Sequence, residues 1–263
     1  SIKNFLPNPN NITDMEKATK RTVTAINKKE KVGIFGDYDV DGATSTALLG
    51  NYLSELKLQF EIYIPDRRNE GYGPSIKSFK ELIEKGVKVI FTVDCGTLSF
   101  EAINYAKKNE IDVIVLDHHQ SEINLPKAFS VVNPNRLDDK SNLQYLCAAG
   151  VTFMFLVSIN RELRISNWFN NKGIIEPNLI NCLDLVSLGT VCDVVPLVGL
   201  NRAIVKQGLK VIKNKKNLGL KTLLDICKIN TNPSIYHLGF VLGPRINAGG
   251  RVGKCSHGAN LLL

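Results

Sequence analysis

The sequence has 263 residues, of which 44% are hydrophobic and 22% are charged, a length and composition that suit one or two folded domains and exclude a disordered chain. Its six cysteines include no C-x-x-C pair, which argues against a zinc ribbon and against a disulfide scaffold. The start shows no signal-peptide pattern, and no apolar stretch reaches the roughly 20 residues of a membrane span. We therefore expect a cytoplasmic protein without a membrane partner.

The net charge of +8 is distributed unevenly along the chain. Residues 199–263 contain eleven basic residues and one acid, Asp225, so they carry +10 and leave −2 for residues 1–198. An acidic part beside a basic segment suits a polyanionic substrate held near metal ions. The lysines alone fit a solvated helical surface equally well, so both interpretations stay open for them.

In the first half of the chain, hydrophobic periodicity predicts helices that alternate with strands. Residues 13–16 match the S/T-x-x-E capping box, which predicts a helix that runs to about Asn27. In chain order, we then predict a strand at 32–36, a helix at 43–56, a strand at 60–64, a helix at 75–85, a strand at 88–93, a helix at 100–108, a strand at 112–116 and a short strand at 130–132. This alternation indicates an α/β fold with a mainly parallel five-stranded sheet flanked by helices.

Beyond residue 133 the pattern becomes helical. We predict helices at 145–161, 179–188, 202–213 and 221–226. Residues 259–263 resemble a helix that is cut soon after it begins, so we expect the chain to be a fragment of a longer protein.

Three apolar runs end in aspartate, and further acids and histidines follow two of them: Asp37, Asp39, Asp41, Asp94, Asp117, His118 and His119. Open parallel sheets bind ligands at the carboxyl edge of the strands, so we expect these side chains to crowd one edge. Crowded carboxylates raise each other's pKa, and a divalent cation relieves the repulsion. Oxygen ligands with one or two imidazoles favour Mn²⁺ or Mg²⁺ over a thiolate-type zinc site. Because two such ions can activate water and clamp a phosphoryl group, the residues indicate metal-assisted phosphoester hydrolysis.

Two competing motifs fit less well. Asp37, Asp39 and Asp41 match the first half of an EF-hand loop, but its twelfth position needs glutamate where this chain has Leu48, and a helix should precede it. The glycines around the first strand do not fit G-x-G-x-x-G, so the chain lacks a dinucleotide-binding fingerprint. A single aspartate would fit an ordinary helix cap or turn, whereas the set at three strand ends favours a metal site.

Four segments together resemble the four motifs of the DHH phosphoesterases: Gly-Asp-Tyr-Asp-Val-Asp-Gly at 36–42, Val-Asp-Cys-Gly at 93–96, Asp-His-His at 117–119 and Cys-Asp-Val-Val-Pro-Leu at 192–197. Two more, at 65–73 and 243–251, are similar to segments of the RecJ-type exonucleases within that superfamily. The resemblance runs from about Phe5 to the last residue. It implies hydrolysis of single-stranded DNA from its 5′ end, with release of nucleotides, in DNA repair and recombination, and it implies repair or recombination proteins as partners.

The resemblance also implies a role for each matching residue. Five match residues that bind two metal ions, normally Mn²⁺ with Mg²⁺ as the alternative: Asp39, Asp41, Asp94, His118 and Asp193. Three match catalytic or supporting residues, with the histidine at the scissile phosphate: His119, Asp37 and Asp117. Four match residues that bind phosphate or lie beside the DNA: Arg67, Arg245, Asn247 and Arg251. Asp193 rests on the resemblance alone because it follows a predicted helix, and Tyr72 fits DNA contact and packing equally well.

The chain departs from the family pattern at two places. Phe35 stands where some relatives have a histidine, so that position cannot bind metal here, and Gly249 and Gly250 replace an alanine-rich pair in the expected phosphate-binding loop. The resemblance implies a metal-binding catalytic domain at 1–198. It also implies a basic helical segment at 199–263 that includes the phosphate-binding loop and ends in the start of a connector helix to a second, DHHA1-like domain.

Two other functions stay open from the sequence. A DHH hydrolase of oligoribonucleotides or cyclic dinucleotides would share the metal motifs, although the 243–251 segment and the basic tail disfavour it. A catalytically silent DNA-binding scaffold would be expected to lose metal ligands, and this chain keeps all five.

Overall fold

The structure is a computed structural model that describes residues 2–66, 69–252 and 254–263, with the backbone alone for residues 250–252. Five strands form one sheet: β1 Val32–Gly36, β2 Phe60–Tyr63, β3 Val89–Val93, β4 Asp112–Leu116 and β5 Ser130–Val132. Their order is β2-β1-β3-β4-β5, and every neighbouring pair is parallel. The predicted α/β fold is confirmed, and within the described residues this sheet is parallel throughout.

Helices connect and cover these strands. The first half contributes α1 Met15–Lys28, α2 Val40–Glu55, α3 Ile76–Glu84 and α4 Phe100–Lys108. The second half contributes α5 Ala148–Ile165, α6 Trp168–Lys172, α7 Leu183–Cys192, α8 Gly199–Lys213, α9 Leu218–Ile226, a π-helix at His237–Leu242, α10 Gly243–Val252 and α11 His257–Leu262. No helix in the described part of the chain is both long enough and apolar enough to cross a membrane.

The central strands are buried on both faces. Every residue of β1 and β3 is buried, which explains why they read as continuous apolar runs. On one face, Ile34 and Phe91 join the core formed with α1, α2 and α5. On the other face, Phe35 and Ile90 pack in a separate core with α3 and α4. Phe35 is therefore a core residue that stacks on Tyr63 with a ring-centroid distance of 5.6 Å.

Helix α2 is almost entirely enclosed. Thirteen of its sixteen residues are buried, because the helix lies between the sheet and the later helices. Its first turns pack with α7, α9, α10 and α11 in another hydrophobic core, while Leu48, Leu49 and Tyr52 face the core over the sheet. The basic segment thus packs on the helix that follows β1. The predicted boundary at residue 198 stays a prediction.

The predicted capping box is wrong. Asp14 is the N-cap of α1, has a φ of 64° and makes no side-chain capping hydrogen bond. Its Oδ2 instead accepts hydrogen bonds of 2.9 Å from the backbone N of Val131 and from Nη1 of Arg136. The four-residue pattern made Thr13 the N-cap, whereas α1 begins one residue later and the carboxylate of Asp14 binds distant residues instead of capping the helix.

Other differences concern where elements begin. Helix α2 starts at Val40 rather than at residue 43, because the Asp39 side chain accepts a hydrogen bond of 3.0 Å from the backbone N of Gly42 and caps the helix early. Helices α5 and α7 lie about one turn later than predicted. The segment 243–251, expected to be a phosphate-binding loop, forms most of helix α10.

Candidate active site

The three strand-end aspartates lie side by side at one edge of the sheet. Asp37, Asp94 and Asp117 directly follow β1, β3 and β4. The register pairs the last residue of β1 with the last of β3, and the last of β3 with the last of β4. The sequence prediction that these acids meet at one edge is therefore confirmed.

Around this edge, three overlapping groups of side chains bring ligand atoms within 4.8 Å of one another: Asp94 with His118 and His119, Asp41 with His118 and Asp193, and Asp37 with Asp39 and Asp94. Asp94 and His118 each belong to two groups, so the groups form one continuous site. The structure thus brings together all five residues that the sequence predicts as metal ligands.

The N-terminus of α2 places two of these acids. Asp39 caps the helix, while Asp41 lies buried in its first turn rather than in a loop. The Asp41 carboxylate accepts hydrogen bonds from the backbone N atoms of Ala148 and Ala149, at 2.6 and 3.0 Å, which begin helix α5. Two helix N-termini therefore face this carboxylate, and both favour negative charge there. Gly42 is required because a Cβ would lie 2.5 Å from the backbone O of Asp37.

Helix α7, which is not a neighbour of the strand ends in the sequence, places Asp193 beside Asp41 and His118. Asp193 follows the last residue of α7, and its Oδ2 lies 3.7 Å from Nδ1 of His118. One turn earlier, Gly189 lets α7 approach α2, since a Cβ there would lie 2.6 Å from Oγ1 of Thr44 and 2.7 Å from Oδ1 of Asp41. Gly189 escaped the sequence analysis, although a glycine inside an apolar helix indicates close packing.

Asp94 has the features of a ligand that lacks its cation. Its side chain is buried, and Oδ1 accepts no hydrogen bond from any described residue, while Nε2 of His118 lies 3.3 Å away. Burial, followed by the charges of Asp41 and Asp39, raises its pKa well above the ordinary value. Asp94 also has a φ of 62°, a strained conformation that persists at functional sites. A buried carboxylate without donors needs a proton or a cation, so this oxygen fits a metal ion.

Two neighbouring carboxylates, those of Asp37 and Asp193, also have raised pKa values. Burial and the charge of Asp39 raise the pKa of Asp37 to about 7. Burial and the charge of Asp41 raise the pKa of Asp193 to about 7 as well. The cluster would therefore hold protons near neutral pH, and a divalent cation would displace them by compensating the charge.

Asp117 differs from the other acids because its oxygens already have donors. It accepts hydrogen bonds from the backbone N of Thr97 at 3.0 Å, from the backbone N of His118 at 2.7 Å and from Nδ1 of His119 at 2.7 Å. Burial opposes its ionisation, but the hydrogen bonds from His119 and Thr97 outweigh burial and lower its pKa. In return, the bond to Asp117 raises the pKa of His119 to about 8. Asp117 therefore fixes the orientation of the His119 ring.

Two asparagines that were not predicted from the sequence bind the backbone of the histidine loop, which consists of His118 and His119. Asn133 donates from Nδ2 to Oγ1 of Thr97 at 2.9 Å and to the backbone O of His119 at 2.8 Å. Asn135 donates from Nδ2 to the backbone O of His118. Both follow the short strand β5, so the rule that identified the strand-end acids would have found them had it been applied to the last strand.

Tyr72 lies directly beside the site. Its Oη donates to the backbone O of Asp94 at 3.1 Å, and its ring meets the His119 ring edge-on with centroids 5.9 Å apart. Next to both rings lies a pocket of about 590 Å³, which Leu98 and Phe100 also line. Tyr72 thus packs against the site and borders open space next to His119.

The structure describes the side chains of only two of the four predicted phosphate-binding residues, Arg245 and Asn247. Arg245 is exposed on α10, and its Nη1 donates to the backbone O of Val241 at 2.7 Å. Asn247 is half-buried, and its Oδ1 accepts no hydrogen bond from the described residues. Gly243 brings the start of α10 against the residue before Asp193, since a Cβ there would lie 2.5 Å from Sγ of Cys192. Arg67 and the side chain of Arg251 lie outside the described residues.

Comparison with known proteins gives consistent matches. Residues 31–190 match the model of the DHH family, N-terminal domain. The single-stranded-DNA-specific exonuclease RecJ of Haemophilus influenzae is 38% identical over 266 residues, which cover 100% of this chain and 46% of that protein. RecJ of Bacillus subtilis is 35% identical over 97% of this chain and 31% of its own length. The chain thus spans less than half the length of these curated relatives.

Solved structures agree with the sequence comparison. An exonuclease RecJ bound to manganese superposes with a TM-score of 0.83 at 31% identity, covering 96% of this chain and 61% of that one. RecJ of Thermus thermophilus in complex with Mn²⁺ gives a TM-score of 0.79 at 29% identity, covering 96% of this chain and 35% of that one. A Mg²⁺ complex of the same enzyme gives a TM-score of 0.66.

Proposed function

The chain belongs to the DHH family, and from that premise we propose that it is the metal-binding part of a nuclease that hydrolyses single-stranded DNA from its 5′ end. The observation that carries the proposal is the buried Oδ1 of Asp94, which accepts no hydrogen bond from the described residues and lies among clustered carboxylates and imidazoles. Similarity to RecJ exonucleases supports the substrate class and a role in DNA repair and recombination. These relatives are bacterial, so we also propose a cytoplasmic location and repair or recombination proteins as partners.

We propose Asp39, Asp41, Asp94, His118 and Asp193 as ligands of two ions, Mn²⁺ or Mg²⁺. Carboxylate oxygens with imidazole suit these ions, and similar RecJ structures contain Mn²⁺ or Mg²⁺. The nearby cysteines are turned to the backbone, since Sγ of Cys95 donates to the O of Val93 and Sγ of Cys192 to the O of Leu238, both at 3.4 Å. Bound there, the ions would activate a water molecule and offset negative charge on the phosphate.

His119 is the side chain we propose to face the scissile phosphate. It is half exposed, borders the pocket beside Tyr72, and is held by Asp117 and Asn133. The hydrogen bond to Asp117 raises its pKa and so favours the charged imidazole, which would stabilise the negative charge that develops on the phosphate. Asp37, at the edge of the same cluster, would either bind an ion or orient a ligand.

The second part of the proposal concerns phosphate binding. Arg245, Asn247, Arg251 and Arg67 would hold the phosphates of the strand, because arginine pairs with phosphate oxygens through two parallel hydrogen bonds. The net +10 of residues 199–263 supports a polyanionic substrate. Since the chain spans less than half of its curated relatives, we expect weak and poorly processive hydrolysis from it alone.

A nuclease assay with substitutions tests the proposal. We expect Asp94→Asn to lower Mn²⁺-dependent release of nucleotides from a 5′-labelled single strand by at least about a hundredfold. Asp225→Asn, which removes an exposed acid paired with Lys215, is the matched control and should keep the wild-type rate. Equal rates for Asp94→Asn and wild type, or hydrolysis that persists in excess chelator, would refute the metal site.

The same assay separates the alternatives. Faster hydrolysis of short oligoribonucleotides or cyclic dinucleotides than of single-stranded DNA would favour a different DHH phosphodiesterase. Tight binding of single-stranded DNA without hydrolysis would favour a scaffold.

A further inference from the structure

A basic groove lies away from the metal cluster, between the first residues of the chain and helix α8. It encloses about 500 Å³ and is lined by Phe5, Arg202, Lys206 and Lys210, among others. The three cations are spaced four residues apart, so they follow one face of α8 at intervals of about 6 Å along the axis. The groove therefore presents a row of positive charges about 12 Å long.

No acid in the described residues neutralises this row. The lining of the groove contains no acidic side chain. The only acid between residues 199 and 263 is Asp225, and its Oδ1 pairs with Nζ of Lys215 at 2.7 Å. Like charges one turn apart repel each other on a helix, so the row gains stability from a bound polyanion.

An exposed aromatic ring completes the groove. Phe5 is 54% exposed and borders the same space as the cations. Gly199 and Ala203 also line it, and their small size leaves room over the helix. Cations that meet backbone phosphates, combined with an aromatic ring on which bases stack, are the two elements by which proteins bind single strands.

The groove is close enough to the metal cluster to contact the same strand. Asp193 lies in the cluster, and α8 begins six residues later at Gly199. Six residues span at most about 20 Å, so the near end of the groove is within a few nucleotides of the site. Helix α8 then runs on from that end, and Arg202, Lys206 and Lys210 follow in order.

From these observations we infer that the α8 groove binds the single strand several nucleotides away from the scissile bond. The inference rests on the proposed function for the position of the 5′ end at the metal cluster. The groove would hold the strand on the 3′ side of the cleaved bond, with the cations on phosphates and Phe5 beneath a base. It thereby acts as a second contact that favours long strands over short ones.

A charge-neutralising variant tests this inference. In an Asp94→Asn background, which keeps the strand intact, Arg202, Lys206 and Lys210 are changed to glutamine. The control changes Lys216, Lys221 and Lys228 to glutamine, which removes the same charge from exposed sites of the same segment. Fluorescence anisotropy with strands of about 20 and about four nucleotides, at several salt concentrations, gives affinity and its salt dependence.

We expect the groove variant to lose about tenfold or more in affinity for the long strand and to reduce the salt slope by about 2, since each phosphate contact on a single strand contributes about 0.7. The ratio of the affinities for the long and the short strand should decrease. The control variant should have the same affinities and the same salt slope as the protein in which the groove is unchanged. Phe5→Ala should weaken binding of the long strand at an unchanged salt slope. Thermal melting confirms that each variant is folded.

The outcomes separate the groove from the proposed function. If the chain binds and hydrolyses single-stranded DNA but the groove variant and the control bind equally, the inference about the groove is wrong and the proposed function stands. If the groove variant loses duplex binding while single-strand binding is unchanged, the inference is wrong as well. If the chain neither binds nor hydrolyses single strands, the proposed function itself fails.

Discussion

Gly189 offers the sharpest test of how the fold builds the site. In Gly189→Ala, the new Cβ would lie 2.6 Å from Oγ1 of Thr44, 2.7 Å from Oδ1 of Asp41 and 2.8 Å from Cβ of Ala149. Ordinary contacts begin near 3.4 Å, so α7 must move away from α2 and α5 by about 0.7 Å. Overpacking of this kind costs about 1–3 kcal/mol, and alanine returns roughly 0.5–1 kcal/mol through its better helix propensity. We therefore expect a net loss of up to about 2.5 kcal/mol in the free energy of unfolding.

The effect on activity should exceed the effect on stability. Asp193 lies one turn after Gly189, so it moves with α7, and a displacement of about 1 Å can cost roughly a hundredfold in rate. Urea unfolding measures the first quantity, and release of nucleotides with Mn²⁺ measures the second. Gly239→Ala is the matched control, because it also faces α7 but its Cβ would lie 3.4 Å from the nearest atom, on Val191. If Gly189→Ala keeps full activity and stability, close approach of α7 does not place Asp193.

Two further predictions concern charge and the histidine loop. Because Asp37 and Asp193 have folded pKa values of about 7, raised above the ordinary 3.8, the protonated form is favoured in the folded state. Stability of the metal-free chain should therefore fall as the pH rises from about 4 to about 7, and Mn²⁺ should restore it. Melting in chelator at pH 5 and pH 8 measures this, and a chain that is more stable at pH 8 would contradict it. Asn133→Ala should lower nuclease activity by about 10–100-fold, because Thr97 and the backbone O of His119 lose their donor; a rate equal to wild type would show that other contacts hold the loop.

Local patterns predicted the sheet and most of the site edge. Apolar runs that end in Asp37, Asp94 and Asp117 identify buried parallel strands, and topology alone then brings the three acids together. Asp193 could not be found in this way, since it follows a helix that packs from the far side of α2. Its position depends on Gly189, whose importance comes from contacts with residues distant in the sequence.

Two further differences between the predicted and the observed structure, at residues 13–16 and 243–251, also arise from contacts between segments that are distant in the sequence. Residues 13–16 fit a local capping pattern, yet α1 begins after Asp14, whose carboxylate binds β5 and Arg136. The resemblance implied a phosphate-binding loop at 243–251, but the segment is helical, and its Ile246 packs into the core shared with α2. Propensity is a weak prior that tertiary packing overrides, and both errors occur where distant segments meet.

The enclosure of α2 has a thermodynamic consequence. Leu48, Leu49 and Tyr52 belong to the core over the sheet, whereas Val40 and Ala43 belong to the core of the later helices. Neither core can open without exposing apolar surface of this one helix, so the two should melt in a single cooperative transition. Backbone amides in the middle of α2 should then exchange with solvent only through global unfolding. The helix that positions Asp41 would be among the slowest-exchanging parts of the molecule, which keeps the carboxylates in register during local fluctuations elsewhere.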